Sequence, residues 1–229
     1  SATGKTYNFL DASSTALSTH TSPNGTAPTI PSSSTVQSAF SSGAASLATF
    51  TLTKAEVLGA ISVNDATLSG TSASVTVRHA AASTYAVTPS TATPTAGTAF
   101  NLTVTARDAS GNTANGVNGT VYTGTALISA TATAPYNLSP AMYPFISGDA
   151  GTKTFTNGVT LNTAQTVTIT VRDYGDSSIT SSTSVTVSAS ADTTAPTITD
   201  VQVSTTTATT ATITWTTNES ADSKVIIAT

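Results

Sequence analysis

The strongest constraint on this chain is a two-residue beat. Phe100, Leu102 and Val104 alternate with Asn101, Thr103 and Thr105, and Val167, Ile169 and Val171 alternate with Thr168, Thr170 and Arg172. Val185 and Val187, and Ile213 and Trp215, keep the same spacing. An extended backbone sends successive side chains to opposite faces, so this spacing predicts strands with one buried and one solvated face. The polar partner is most often Thr, whose β-branch suits a pleated sheet. Clusters of Gly, Asn and Asp at 108–112, 115–116, 118–119, 148–151, 157–158 and 174–176 punctuate the strands where turns are expected. No segment carries a convincing 3.6-residue period. The nearest, 36–47, holds Gly43 and four Ser and reads as loop. Many short strands with regular turns predict an all-β chain of sandwiches.

What surrounds the beat narrows the setting. The chain has 53 Thr and 32 Ser among 229 residues, against only 8% charged residues, so hydroxyls rather than charges form the solvated surface. The net charge of −4, with scattered Lys and Arg, excludes a nucleic-acid footprint. No apolar run approaches the ~20 residues of a membrane-spanning helix, so no membrane insertion is expected, and a type IV pilin is disfavoured because its long apolar N-terminal helix is missing. With no Cys, thiol catalysis, cysteine metal sites and disulfide staples are impossible, and each domain must be held by its own core. This composition suits an extracellular or cell-surface protein. The start at Ser1 fits a mature chain after signal removal, and equally a segment of a longer one.

An internal repeat matters more than any single motif. The series LATFTLTKAE, LGAISVND, TSASVTVRHA returns as TKTFTNGVTL, QTVTITVRD, SSTSVTVSAS. Phe50 matches Phe155, Asp65 matches Asp173 and Val75 matches Val185, at offsets of 105, 108 and 110. The opening GKTYNFLDAS is similar to NGTVYTGTAL further on. Three domains follow: 1–80, an incomplete sandwich with later strands only; 81–190, a complete one; and 191–229, opening strands only. The two partial domains total 119 residues, close to the 110 of 81–190.

The run from ASTYAVTPSTATPTAGTAFNLTVTARDASGNTANGVNGTVY through DAGTKTFTNGVTL to VTITVRD resembles a prokaryotic Ig-like repeat of tandem surface proteins. The segment TTAPTITDVQVSTTTATTATITWTTNESADSKVIIAT resembles the opening of a fibronectin type III domain, on Pro196, Ile198, Val201, Val203 and Trp215. The resemblances imply tandem Ig-like and type III-like β-sandwiches and carry no catalytic motif. The type III likeness implies that Trp215 packs a core from the second strand.

Tail strands without a sandwich, and a head lacking its early strands, point to assembly between copies, head to tail. Ile198, Val201, Val203, Ile213, Trp215, Val225 and Ile227 would complete a core near Tyr7, Phe9 and Phe50 of the next copy. Such a contact does not close on itself and builds a filament, sheath or array. The alternative is a spacer or carbohydrate-binding module of an adhesin or secreted enzyme, with Tyr85, Tyr122, Tyr136, Tyr143 and Phe145 as candidates for stacking on surface glycans. The apolar run 136–145 also fits a loop over the core or a subunit contact.

Other chemistry is thin. His20 and His79 read as exposed loop histidines, no G-x-S-x-G elbow is present, and the only two Glu, Glu56 and Glu219, fall in different domains, so no enzyme is expected. No cofactor is expected except calcium, for which Asp108 and Asn112, and Asp173 and Asp176, offer turn oxygens without an EF-hand pattern. The Thr-rich strands suit ordinary solvated faces better than ice binding. Five sequons, at Asn24, Asn101, Asn118, Asn137 and Asn218, are candidate glycosylation sites.

Overall fold

The computed structural model describes residues 6–226 except 43, 48, 49, 66 and 223. The first strands are β1 (Asn8–Leu10), β2 (Phe40–Ser41), β3 (Ala44–Ala45), β4 (Glu56–Asn64) and β5 (Ser69–Val77). They are followed by β6 (Thr84–Pro89), β7 (Ala99–Arg107), β8 (Thr125–Ala130), β9 (Tyr136–Leu138) and β10 (Met142–Pro144). The last are β11 (Thr152–Leu161), β12 (Thr166–Asp173), β13 (Thr180–Thr186), β14 (Ile198–Thr206) and β15 (Ala211–Thr217). Two compact units result, Ser1–Ala189 and Ser190–Thr229.

Residues 84–188 form an antiparallel sandwich. One sheet has the order β6-β7-β11-β9 and the other β10-β8-β12-β13. The alternating apolar positions all point between them: Leu102, Val104, Val159, Leu161, Val167, Ile169, Val171 and Val185 are sealed from water. Each such side chain contributes roughly 1.5–3 kcal/mol through burial. The stretch between β6 and β7 closes the far edge, with Thr186 N–H donating to Ala92 O (2.8 Å) and Ala96 N–H to Ser188 O (2.8 Å).

The residues before 80 build half of the same object. The sheet β1-β4-β5 has the order of β8-β12-β13. Gly59 pairs with Val75 as Val167 pairs with Val185, although β4–β5 carries two register shifts, at Val57/Gly59 and Ala60/Ser62, where β12–β13 is a regular ladder. Both hairpins turn at a buried aspartate. Asp65 Oδ1 accepts the N–H of Thr67 (3.0 Å) and Leu68 (2.9 Å), and Asp173 Oδ1 accepts those of Gly175 and Asp176 (both 2.7 Å). What differs is the cover. Phe9, Leu17, Val36 and Leu58 make a small core, but Ile61, Val63, Val75 and Val77 stay half-buried.

One expectation fails here. A helix, α1 (Ser33–Ala39), overlaps the start of 36–47, the stretch that reads as loop. Ser32 accepts Thr35 N–H on its hydroxyl (3.2 Å) and Val36 N–H on its carbonyl (3.0 Å), an N-terminal cap. Val36 then fills the core beside Leu17 and Leu58. Two turns are too short to carry a readable period.

The second unit is one antiparallel pair, β14 with β15, closed by a turn in which Thr207 N–H donates to Thr210 O (2.7 Å). Val203 faces Ile213 and Ile198 faces Thr217; an irregularity between Thr199 and Gln202, with Asp200 at φ +54°, brings Val201 to the same face. Strand alternation puts Trp215 there too.

Candidate assembly surfaces

The uncovered face of β1-β4-β5 forms an open groove of about 540 Å³, lined by Phe9, Leu47, Phe50, Ile61, Val63 and Val75 among others. Phe9 and Phe50 meet at its floor with ring centroids 5.6 Å apart. Tyr7, half-buried, donates its backbone N–H to Ser33 Oγ (3.0 Å) and packs on the same core. The three aromatics expected around an assembly surface therefore lie together. On the tail, Ile198, Val201 and Val203 are 58%, 64% and 60% exposed, and Ile213 and Trp215 are half-buried. Val225 is exposed outside the strand pair, and Ile227 lies outside the described residues.

The aromatics proposed for glycan stacking mostly form core. Tyr85, Tyr122 and Phe145 are buried, and edge-on contacts run from Tyr85 to Tyr122 (5.7 Å), Tyr122 to Phe145 (5.3 Å) and Phe145 to Tyr143 (5.5 Å). The Tyr85 and Tyr122 hydroxyls bond to each other, and Tyr122 donates to Asp173 Oδ2. Burial pushes the Tyr85 phenol up to about 12, and burial with the Asp173 bond raises Tyr122 further. Only Tyr136 of this set is exposed. The run 136–145, expected as a loop over the core or a subunit contact, instead supplies β9 and β10, one strand to each sheet, and Phe145 to the core.

The histidines are not exposed loop residues. His20 Nδ1 lies 2.7 Å from Glu56 Oε1, its Nε2 lies 3.4 Å from Asp11 Oδ2, and Lys54 holds the other Glu56 oxygen at 2.7 Å. Burial raises the Glu56 carboxyl, but Lys54 and His20 outweigh it and hold it below its ordinary value. His79 is buried in the link between the two sheet systems. Its Nδ1 lies 2.9 Å from Ala80 O, and Gly116 N–H donates to its Nε2 at 3.3 Å. A Cβ at Gly119 would strike the ring.

The turn 108–112, which holds the candidate calcium ligands Asp108 and Asn112, joins this link to its neighbours. Asp108 accepts the N–H of Ala80 (3.0 Å), Ser110 (2.9 Å) and Asn112 (2.9 Å). Asn112 donates to Thr53 O (2.9 Å) and accepts Ala55 N–H (2.9 Å). Burial pushes the Asp108 carboxyl up, but these donors together bring it below its ordinary value. Asp173 and Asp176 sit in a separate turn, where Asp176 accepts Ser178 N–H (3.0 Å). Among the described residues, no group of three or more His, Asp or Glu is arranged to hold a metal ion. Glu219 is half-buried near the tail's end. Of the sequons, Asn24 donates its amide to Ala109 O (2.7 Å), Asn101 accepts Asn157 N–H (2.8 Å) and Asn218 accepts Thr197 N–H (2.7 Å). Asn118 is half-buried at φ +59°, and Asn137 is exposed on β9.

No protein-family profile and no curated protein sequence matches the chain. Among solved structures, it is similar to the Escherichia coli adhesin FdeC, at 20% identity and a TM-score of 0.38, over 73% of this chain and 52% of that one. It is also similar to domains 4–9 of the surface-layer protein SbsC, at 18% identity and a TM-score of 0.31, over 88% and 25%. A third is the Yersinia pseudotuberculosis adhesin InvE, at 18% identity and a TM-score of 0.28, over 81% and 49%. The chain thus spans about half the length of the solved FdeC chain and a quarter of the SbsC fragment.

Proposed function

We propose that this chain is a structural building block of an extracellular filament, sheath or cell-surface array, assembled head to tail by exchange of half-domains. The observation that carries the reading is internal to the molecule. Val171, Ile169 and Val185 are sealed, and their counterparts Val63, Ile61 and Val75 are half-exposed. In the complete sandwich the pair β6–β7 packs across those positions. Among the described residues the tail is one antiparallel strand pair with one apolar face. One copy's tail supplies the element that the next copy's head leaves open, and because the two surfaces differ, the contact is head-to-tail and propagates into a filament where its rotation does not close a ring. The surrounding polarity is compatible: Asp200 is the only charged residue of β14 and β15, and the named groove residues carry none.

Of the alternative, spacer or carbohydrate-binding module, the carbohydrate-binding part loses Tyr85, Tyr122 and Phe145 to the core. The test is deletion of residues 191–229. The intact chain is expected to grow into elongated species by light scattering and electron microscopy, and the truncated chain to stay monomeric with its sandwich folded. Filaments from the truncated chain would refute the reading.

A further inference from the structure

Half-domain exchange leaves open how the incoming pair is oriented, and the backbone of the head answers this. Resting on the assembly reading above, we infer that β15 of a second copy adds as an antiparallel strand to the edge formed by Phe50 and Leu52, with β14 lying outside it toward β5. Thr51 exchanges both backbone bonds with Thr29 at 3.0 Å, and the Thr53 hydroxyl donates to Thr26 O at 3.0 Å. Along an extended chain, alternate residues present their N–H and C=O to opposite edges. Thr51 thus faces Thr29, and its neighbours Phe50 and Leu52 turn their backbone groups the other way. There they have no hydrogen-bond partner among the described residues, while their side chains pack on the small core.

The complete sandwich shows what belongs on such an edge. Phe155, the counterpart of Phe50, pairs with Leu102 of β7, and β6 lies on the far side of β7 against β13. Transferred to the head, β7 is replaced by β15 and β6 by β14, which would lie over β5, the counterpart of β13. Strand addition satisfies the main-chain groups, and the apolar face of the pair then covers Ile61, Val63 and Val75. In this orientation Trp215 enters the groove from the strand nearest Phe50. The occupant is a second copy because the same chain supplies a complete example of the contact and a loose strand pair of matching pattern.

Absence of native cysteine makes the test clean. Thr51→Cys, on the exposed outer side of the edge, is combined in turn with Thr212→Cys, Thr214→Cys or Thr216→Cys on β15, and with Gln202→Cys on β14. Under oxidation, at least one β15 combination is expected to give a ladder of covalent multimers on a non-reducing gel, and the β14 combination none. Assembly without any β15 ladder, or a ladder from β14 alone, would overturn the orientation and leave half-domain exchange standing. Fast-migrating crosslinked monomers would place the tail on its own head and overturn both. Failure of the parent chain to assemble would remove the reading on which the orientation rests.

Discussion

Val63 and Val171 each stand two residues before the buried aspartate that turns their hairpin, yet Val171 is 0% exposed and Val63 is half-exposed. The sheets they belong to share their strand order, and the cover over the two valines differs. An aspartate at position 63 therefore has two costs of different size. In the free chain it sits near water, and in the assembled state it is buried without a partner. Val63→Asp is expected to abolish assembly while leaving the melting of the complete sandwich unchanged. Val171→Asp is expected to unfold that sandwich. Circular dichroism melts beside light scattering separate the two, and assembly by Val63→Asp would count against an interface there.

Trp215 is the only tryptophan, so its fluorescence reports one position. Its half-exposed indole should shift to the blue as assembly proceeds. Trp215→Ala removes a central aromatic anchor, for which a loss of ~2 kcal/mol is typical, equal to about a 30-fold rise in the concentration needed for assembly. An emission maximum that stays fixed across that concentration range would contradict the placement.

The Tyr85–Tyr122–Asp173 chain is a buried polar network in which Asp173 Oδ2 receives the Tyr122 hydroxyl. Tyr122→Phe leaves that oxygen and the Tyr85 hydroxyl short of a partner, a loss of about 1–3 kcal/mol. The expected readout is a thermal midpoint lowered by roughly 4–8 °C per kcal/mol for a domain of this size. Gly124→Ala is expected to destabilise the same site, because a Cβ there would collide with Asp173 and Tyr122.

Asp108 makes the junction sensitive to acid. Its carboxyl is depressed below its ordinary value by its donors, although burial opposes them. A carboxylate depressed in the folded state contributes stability in full above its unfolded value, about 3.9, and loses it as pH falls through the folded value. The link around His79 and Ala80 is expected to resist proteolysis at neutral pH and to become cleavable below about pH 4. Asn112→Ala, which removes the bonds to Thr53 and Ala55, is expected to expose the link to protease already at pH 7.

The strand positions were legible because period two is a local signal: Phe100 to Val104 and Val167 to Val171 announce their buried faces directly. The repeat was legible through Asp65 and Asp173, whose turns demand the same side chain. What escaped were contacts between distant segments. His20 read as a loop residue because its partners, Asp11 and Glu56, meet it only through the fold. The bonds by which Asp108 and Asn112 hold Ala80, Thr53 and Ala55 join segments far apart in the chain and leave no mark in the turn motif. Tyr85, Tyr122 and Phe145 read as candidate sugar contacts because the sequence does not show which aromatics close a core. The helix Ser33–Ala39 escaped because its stability comes from one buried valine and a serine cap.

The most direct measurement is the mass of the purified 229-residue chain by light scattering, refolded from denaturant over a range of concentrations. Tail-into-head exchange predicts concentration-dependent growth to large, elongated species, lost on deletion of residues 191–229. A monomer of constant mass at every concentration would contradict it.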